Sequence, residues 1–298
     1  MQRFLDPAVL AGIGSLELLA RTVVDGFVAG LHRSTDFGFS QEFAEYRAYT
    51  PGEDPRHVDW NLFARTGRMY LKRYRGETNS QVTVLLDASN SMRFTSHQLS
   101  KMNYARFAAA AMLYLALHHQ RDAAGLIVFD DEVRESVRPS TRQGQLYRIL
   151  SALDRAEPRA RTSFEQPLQQ ARELLQRRGV VLVFSDFFDD PERIVSAIEP
   201  LRYHGSEVTL FHVLDPRELR PELKGPSVLE DLETGQTMEV VPEYARHDYR
   251  RKIQAHLAAV EQRTRAAGMD YRLLATDQPL DAALRAFLAL RHARKAAL

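Results

Sequence analysis

The chain has 298 residues, of which 44% are hydrophobic and 27% charged, with a formal net charge of +1. These values describe an ordinary globular protein of about two domains, with no electrostatic reason to expect nucleic acid or an anionic membrane as partner. There is no cysteine, which excludes disulfides, cysteine nucleophiles, iron–sulfur clusters and thiolate zinc sites.

From the N-terminus, Ala8 to Leu16 is apolar and follows Arg3, a faint echo of a signal peptide. Asp6 and Glu17 disrupt that pattern, and no small-x-small cleavage site follows. Leu16, Leu19, Val23 and Phe27 recur at helical spacing and predict an amphipathic helix. No stretch approaches the ~20 apolar residues that span a bilayer, so a cytoplasmic protein without membrane insertion is expected. Residues 38–49 read as a loop and then a short strand. Pro51-Gly52-Glu53-Asp54-Pro55 is turn chemistry, Asp59 to Arg65 a short capped helix, and Met69 to Tyr74 a strand. Phe43, Tyr46, Tyr49, Trp60 and Phe63 offer large apolar surfaces, so residues 1–80 are expected to form an extension packed on the following domain.

From residue 81 strands and helices alternate, which predicts an α/β fold with a doubly wound, mostly parallel sheet. The expected strands are 81–87, 124–130, 132–138, 180–185, 206–213 and 269–275. Asp130-Asp131 is placed to turn a hairpin, making one edge strand antiparallel. Helical patterns cover 98–120, 164–176, 243–267 and 279–293. Near 226–241, two short strands flank Glu233-Thr234-Gly235 as a small inserted β-hairpin. The expected domain is therefore 81–298.

Asp87-Ala88-Ser89-Asn90-Ser91 follows the apolar run Val82 to Leu86. A loop of this kind at the carboxyl end of a strand gathers one carboxylate and two hydroxyls, and strand ends are where open α/β sheets bind ligands. Hard oxygen groups suit Mg²⁺ or Mn²⁺ at one site. A second buried run, Val180 to Phe184, ends in Ser185-Asp186, and between the two runs lies Arg161-Thr162-Ser163. The competing explanation is that Asp87 and Asp186 simply cap helices.

In that order and setting, Asp87, Ser89, Ser91, Thr162 and Asp186 resemble the metal-ion-dependent adhesion site of a von Willebrand factor A domain, a Rossmann-like fold. Two positions depart from the pattern. Asn90 stands where Gly is frequent, and Asn tolerates left-handed backbone. Arg161 replaces the usual Gly before the motif threonine, which leaves Ser163 as a competing metal ligand. Leu168, six residues after Thr162, suits a core position in the following helix.

Glu42-Phe43-Ala44-Glu45-Tyr46-Arg47, Pro51-Gly52-Glu53-Asp54, Arg56, Asp59-Trp60 and Ala64-Arg65 accompany Leu86 to Met92. Together they resemble the bacterial domain-of-unknown-function family fifty-eight, as do Phe4 to Pro7 and Ala275 to Leu280. The resemblance implies a metal-dependent adaptor working beside a MoxR-type AAA+ ATPase. Arg47, Asp54, Arg56, Asp59, Trp60 and Arg65 have two readings: a network of charge-assisted hydrogen bonds, or a partner-binding surface.

Enzymatic readings lack their machinery. There is no phosphate-binding loop with its lysine and no Gly-x-Ser-x-Gly elbow. His57 and His204 read as surface or packing residues, and His118-His119 as a helix C-terminus. A metal-dependent hydrolase at Asp87 and Asp186 would need the ion to activate water, and no general base accompanies it. The expectation is a non-catalytic adaptor that offers its metal to an Asp or Glu of a protein partner. A metal-free interaction domain is the further alternative.

Overall fold

Alternation of short apolar runs with amphipathic stretches sets the architecture. The computed structural model describes residues 7–10, 12–31, 43–50, 58–74, 80–159, 163–175 and 177–296. The chain divides into two units, one of Met1–Phe27 with Ser80–Leu298 and one of Val28–Asn79.

The chain begins with helices α1 (Pro7–Leu10) and α2 (Leu16–Leu31). Leu19, Val23 and Phe27, on the predicted stripe of α2, are buried, while Leu18 is exposed. In the smaller unit, β1 (Phe43–Ala48) pairs antiparallel with β2 (Tyr70–Tyr74), and between them lies α3 (Trp60–Thr66). Asp59 caps α3, its Oδ1 accepting the Leu62 N–H at 3.1 Å. Trp60 is 55% exposed, with its ring set edge-on to Phe63.

The larger unit is built on β3 (Gln81–Asp87), α4 (Lys101–Tyr114), β4 (Ala123–Phe129), β5 (Val133–Ser140) and α5 (Gln145–Arg155). There follow α6 (Glu165–Leu174), β6 (Gly179–Ser185), α7 (Pro191–Ile198), β7 (Glu207–Leu214) and α8 (Pro216–Leu219). The inserted hairpin is β8 (Ser227–Glu230) with β9 (Thr237–Val240), and the chain closes with α9 (Pro242–Tyr244), α10 (Arg250–Ala266), β10 (Asp270–Ala275) and α11 (Asp281–Ala296). Helices α5 and α7 were not singled out in the sequence.

The six-stranded sheet runs β10-β7-β6-β3-β4-β5. Every neighbouring pair is parallel except β4 with β5, the expected antiparallel edge. Strands β3, β4, β6 and β7 are buried nearly end to end, which is why they read as unbroken apolar runs. Leu85, Ile127, Val181, Val183 and Leu210 pack on one face with Leu168 of α6, Ile194 of α7 and Val260 of α10. Helices α4 and α5 lie against β3 and β4 and bury the alternate residues.

On β5, a Cβ built at the facing Gly125 would lie 2.8 Å from the Pro139 ring, so only glycine fits there. The β4–β5 register is irregular at the same place, between Ala124 and Leu126.

The strand order reverses between β3 and β6: from β3 the chain moves outward to β4 and β5, then returns to β6 and moves outward the other way. Ligands of open α/β sheets bind at the carboxyl ends of the strands flanking such a reversal. Asp87 ends β3, and Ser185 ends β6.

Candidate functional site

Asp87 is fully buried at the end of β3. Its Oδ1 accepts the Ser89 N–H at 2.8 Å, and its Oδ2 accepts the Ser185 hydroxyl at 2.5 Å. The Ser89 and Ser91 hydroxyls lie 3.0 Å apart, and the chain turns immediately into a 3-10 helix, Asn90–Arg93. The loop therefore closes through a right-handed turn, and the left-handed conformation considered for Asn90 is not used: among described non-glycine residues only Arg121 and Phe187 have positive φ. Asn90 instead donates from Nδ2 to the Leu232 carbonyl, tying the inserted hairpin to this loop.

The helix-capping alternative fails for both aspartates. Ser89, not Asp87, precedes the 3-10 helix, and α7 is capped by Asp190, which accepts from the Glu192 and Arg193 N–H groups.

Asp186 is buried beside Asp87, and its neighbour Phe187 has φ 46°. Left-handed backbone in a buried aromatic residue is costly and tends to persist at functional sites. The Ser185 hydroxyl accepts the Phe187 N–H at 3.0 Å while donating to Asp87, so one side chain fixes both the turn and the carboxylate. The Phe187 ring stacks on Phe164 with centroids 5.8 Å apart and meets His212 edge-on.

Thr162 lies outside the described residues, as do Asp54 and Arg56. The flanks of the threonine segment belong to this end of the sheet: the Arg159 N–H donates to the Ala88 carbonyl at 3.0 Å and the Ser163 N–H to the Asp130 carbonyl at 3.3 Å. Leu168 is buried, as its spacing predicted. Of the N-terminal signature, Arg65 is exposed and Asp59 buried. Arg47 occupies a β1 position opposite Leu71.

The residue that sequence reasoning missed is Lys101. Its ammonium is fully buried and donates to Asp186 Oδ2 at 2.7 Å and to Glu218 Oε1 at 2.6 Å. A signal was present: lysine stands at the first position of α4, where acidic residues are favoured by the helix dipole. Glu218 belongs to α8 and also accepts the Asp215 N–H at 2.8 Å, completing a capping box with Asp215. Asp215 in turn accepts from Ser96 N at 2.8 Å and Ser96 Oγ at 2.5 Å. The ends of β3, β6 and β7 are thus knitted by hydrogen bonds among buried polar side chains.

Burial, and after it the charge of Asp186, push the Asp87 carboxyl up to about 7. Burial also pushes Glu218 up to about 7, with Lys101 opposing and Asp186 adding to it. Burial pulls the Lys101 ammonium down, but Asp186 and Glu218 outweigh that and hold it above its ordinary range. His212, on β7, is pushed down to about 3 by burial, and its Nδ1 meets the Tyr271 hydroxyl at 2.9 Å. Asp87 is therefore a carboxylate whose ionised form is under-compensated by its surroundings.

Among the described residues no cluster of three or more His, Asp or Glu side chains is placed to hold a metal. Any ion here would have to rely on hydroxyls. Asp87, Ser89 and Ser91 form such a hard-oxygen donor set, and an under-compensated buried carboxylate fits a divalent cation. Also among the described residues, no helix is long and apolar enough to cross a membrane.

These features define a mixed α/β protein with a buried, oxygen-rich cluster at the point where its mostly parallel sheet reverses order. The chain belongs to the family described as Protein of unknown function DUF58, whose model matches residues 45–261. Phe4 to Pro7 and Ala275 to Leu280 lie outside that match. The uncharacterized protein Rv1480 of Mycobacterium tuberculosis is 29% identical over 291 residues, covering 96% of this chain and 90% of the relative. The fold is similar to that of the conserved hypothetical protein BatB from Bacteroides thetaiotaomicron, with a TM-score of 0.52 and 16% identity over 72% of this chain and 99% of that one. It is also similar to an aerotolerance-related membrane protein from Bacteroides fragilis, with a TM-score of 0.50 and 16% identity over 70% of this chain and 97% of that one.

Proposed function

We propose that this protein is a non-catalytic, divalent-metal-dependent interaction adaptor with a von Willebrand factor A-like domain. In this reading it works in the cytoplasm beside a MoxR-type AAA+ ATPase, in the assembly or remodelling of protein complexes. The observation that carries the reading is Asp87: buried, under-compensated, and held with two hydroxyls at the reversal point of the sheet. The ligands would be Asp87, Ser89 and Ser91, with Thr162 (or Ser163) completing the set and Asp186 reaching the ion through water. Bound Mg²⁺ or Mn²⁺ would supply an electrophilic centre with an open position for an Asp or Glu of the partner. Ser185 orients the Asp87 carboxylate, and Phe187 holds the turn that presents Asp186. Asp186 and Glu218 both accept from Lys101, an arrangement that favours binding over general-base chemistry.

Calorimetric titration with Mg²⁺ and Mn²⁺ tests the site, and capture of a MoxR-type ATPase with and without EDTA tests the adaptor role. Binding of ion to the wild type but not to Asp87→Ala, together with EDTA-sensitive capture, supports the reading. Turnover of a phosphoester or peptide on adding metal, or ATPase capture indifferent to EDTA, would overturn it.

A further inference from the structure

A fully buried lysine is rare, because removing its charge from water costs several kcal/mol unless partners compensate. Lys101 carries that cost at a helix start, where the dipole adds to it. Its two partners are carboxylates at 2.7 and 2.6 Å, and the Phe94 and Phe188 rings lie 5.8 and 5.1 Å from the ammonium. An apolar side chain with apolar neighbours commonly fills such a position at no loss of stability. The retained cation therefore calls for a role beyond packing.

We propose that Lys101 is a positioning residue that sets the charge of the ion site: it holds Asp186 as an outer partner and cancels one negative charge, so that an ion on Asp87, Ser89 and Ser91 can still accept a partner's carboxylate. This rests on the metal-site reading above. Asp87, Asp186 and Glu218 supply three negative charges when ionised, and Lys101 one positive. The net of two negative charges balances a divalent ion. Without Lys101 the same groups over-neutralise the ion and repel an incoming carboxylate. Glu218 shares the ammonium, so its loss leaves the whole of that charge on Asp186.

The test is calorimetry with Mg²⁺ and Mn²⁺ on the full chain, comparing wild type, Lys101→Met, Glu218→Gln and Asp87→Ala, with circular dichroism as a check of folding. Lys101→Met is expected to bind the ion about tenfold or more tightly, and Glu218→Gln to bind it more weakly by a similar factor. A purely structural lysine would weaken binding in both variants. In Mn²⁺-loaded protein, acetate titration followed by water-proton relaxation should require several-fold more acetate in Lys101→Met than in wild type. If Lys101→Met does not fold, Lys101→Gln, which loses the charge but keeps a hydrogen-bond donor, carries the test, and unchanged or weaker binding there overturns the proposal. Loss of binding in Asp87→Ala, with Lys101→Met and Glu218→Gln both unchanged or both weaker, overturns the role of Lys101 and leaves the metal site standing. Binding that survives Asp87→Ala, or is missing from both the wild type and Lys101→Met, overturns the metal site and this inference with it.

Discussion

The Ser185 hydroxyl donates to Asp87 Oδ2 at 2.5 Å, linking the ends of two strands adjacent in the sheet but 98 residues apart in the chain. This bond separates two substitutions that would otherwise look alike. Asp87→Ala leaves the Ser185 hydroxyl and the Ser89 N–H without their acceptor, at a cost of about 1–3 kcal/mol for each buried group. Asp87→Asn keeps one acceptor oxygen and removes the charge that burial and Asp186 oppose. In metal-free protein at neutral pH, Asp87→Asn should therefore melt at or above the wild-type temperature and Asp87→Ala below Asp87→Asn. Neither should gain the Mg²⁺-induced rise in melting temperature expected of the wild type.

The acid response of metal-free protein should change with the same substitution. Asp87 is raised from 3.8 to about 7, so its stabilising contribution is full at low pH and is lost as pH rises through about 7. His212 is lowered from 6.5 to about 3, so its contribution is full above 6.5 and is lost as pH falls through about 3. Between pH ~4 and ~6.5 the two oppose each other. Asp87→Asn removes the first, and its stability should climb more steeply with pH than that of the wild type. Urea midpoints measured across this range check the slope, and parallel curves would contradict the assignment.

Phe187 combines a buried ring with left-handed backbone directly after Asp186. Phe187→Ala should cost about 3–5 kcal/mol, typical of a buried aromatic truncation. Because the ring also stacks on Phe164, just after Ser163, Mg²⁺ affinity should fall further than in a variant of comparable stability loss remote from the site, such as Leu113→Ala near the opposite end of α4 from Lys101. Paired denaturation and calorimetry make that comparison.

A fragment starting near residue 80 should not behave as a stable domain. Residues Met1–Phe27 belong to the larger unit, where Leu19, Val23 and Phe27 are buried. Limited proteolysis should leave this N-terminal helix associated with the remainder, and recovery of a soluble, cooperatively melting fragment from residue 80 onward would contradict this.

Sheet and strand ends were legible because parallel strands buried on both faces leave unbroken apolar runs, as in Val180 to Phe184. Helices α5 and α7 carry weaker sequence cues, Gly144 before one and Asp190-Pro191 opening the other. The Asp87-x-Ser89-x-Ser91 loop is local, so its geometry follows from adjacent residues. Lys101 is different: its partners are 85 and 117 residues away, and no local pattern announces such a meeting.

The Gly125–Pro139 contact bears on how copies of this protein meet one another. Pro139 has no N–H, and Arg134, Ser136 and Arg138 are exposed along the same edge strand. A neighbouring chain seeking to continue the ladder there meets the exposed side chains of Arg134, Ser136 and Arg138. The irregular register next to Gly125 bends the template further. Charge and irregular register on an edge strand disfavour growth of the sheet into fibres or runaway stacks from this side.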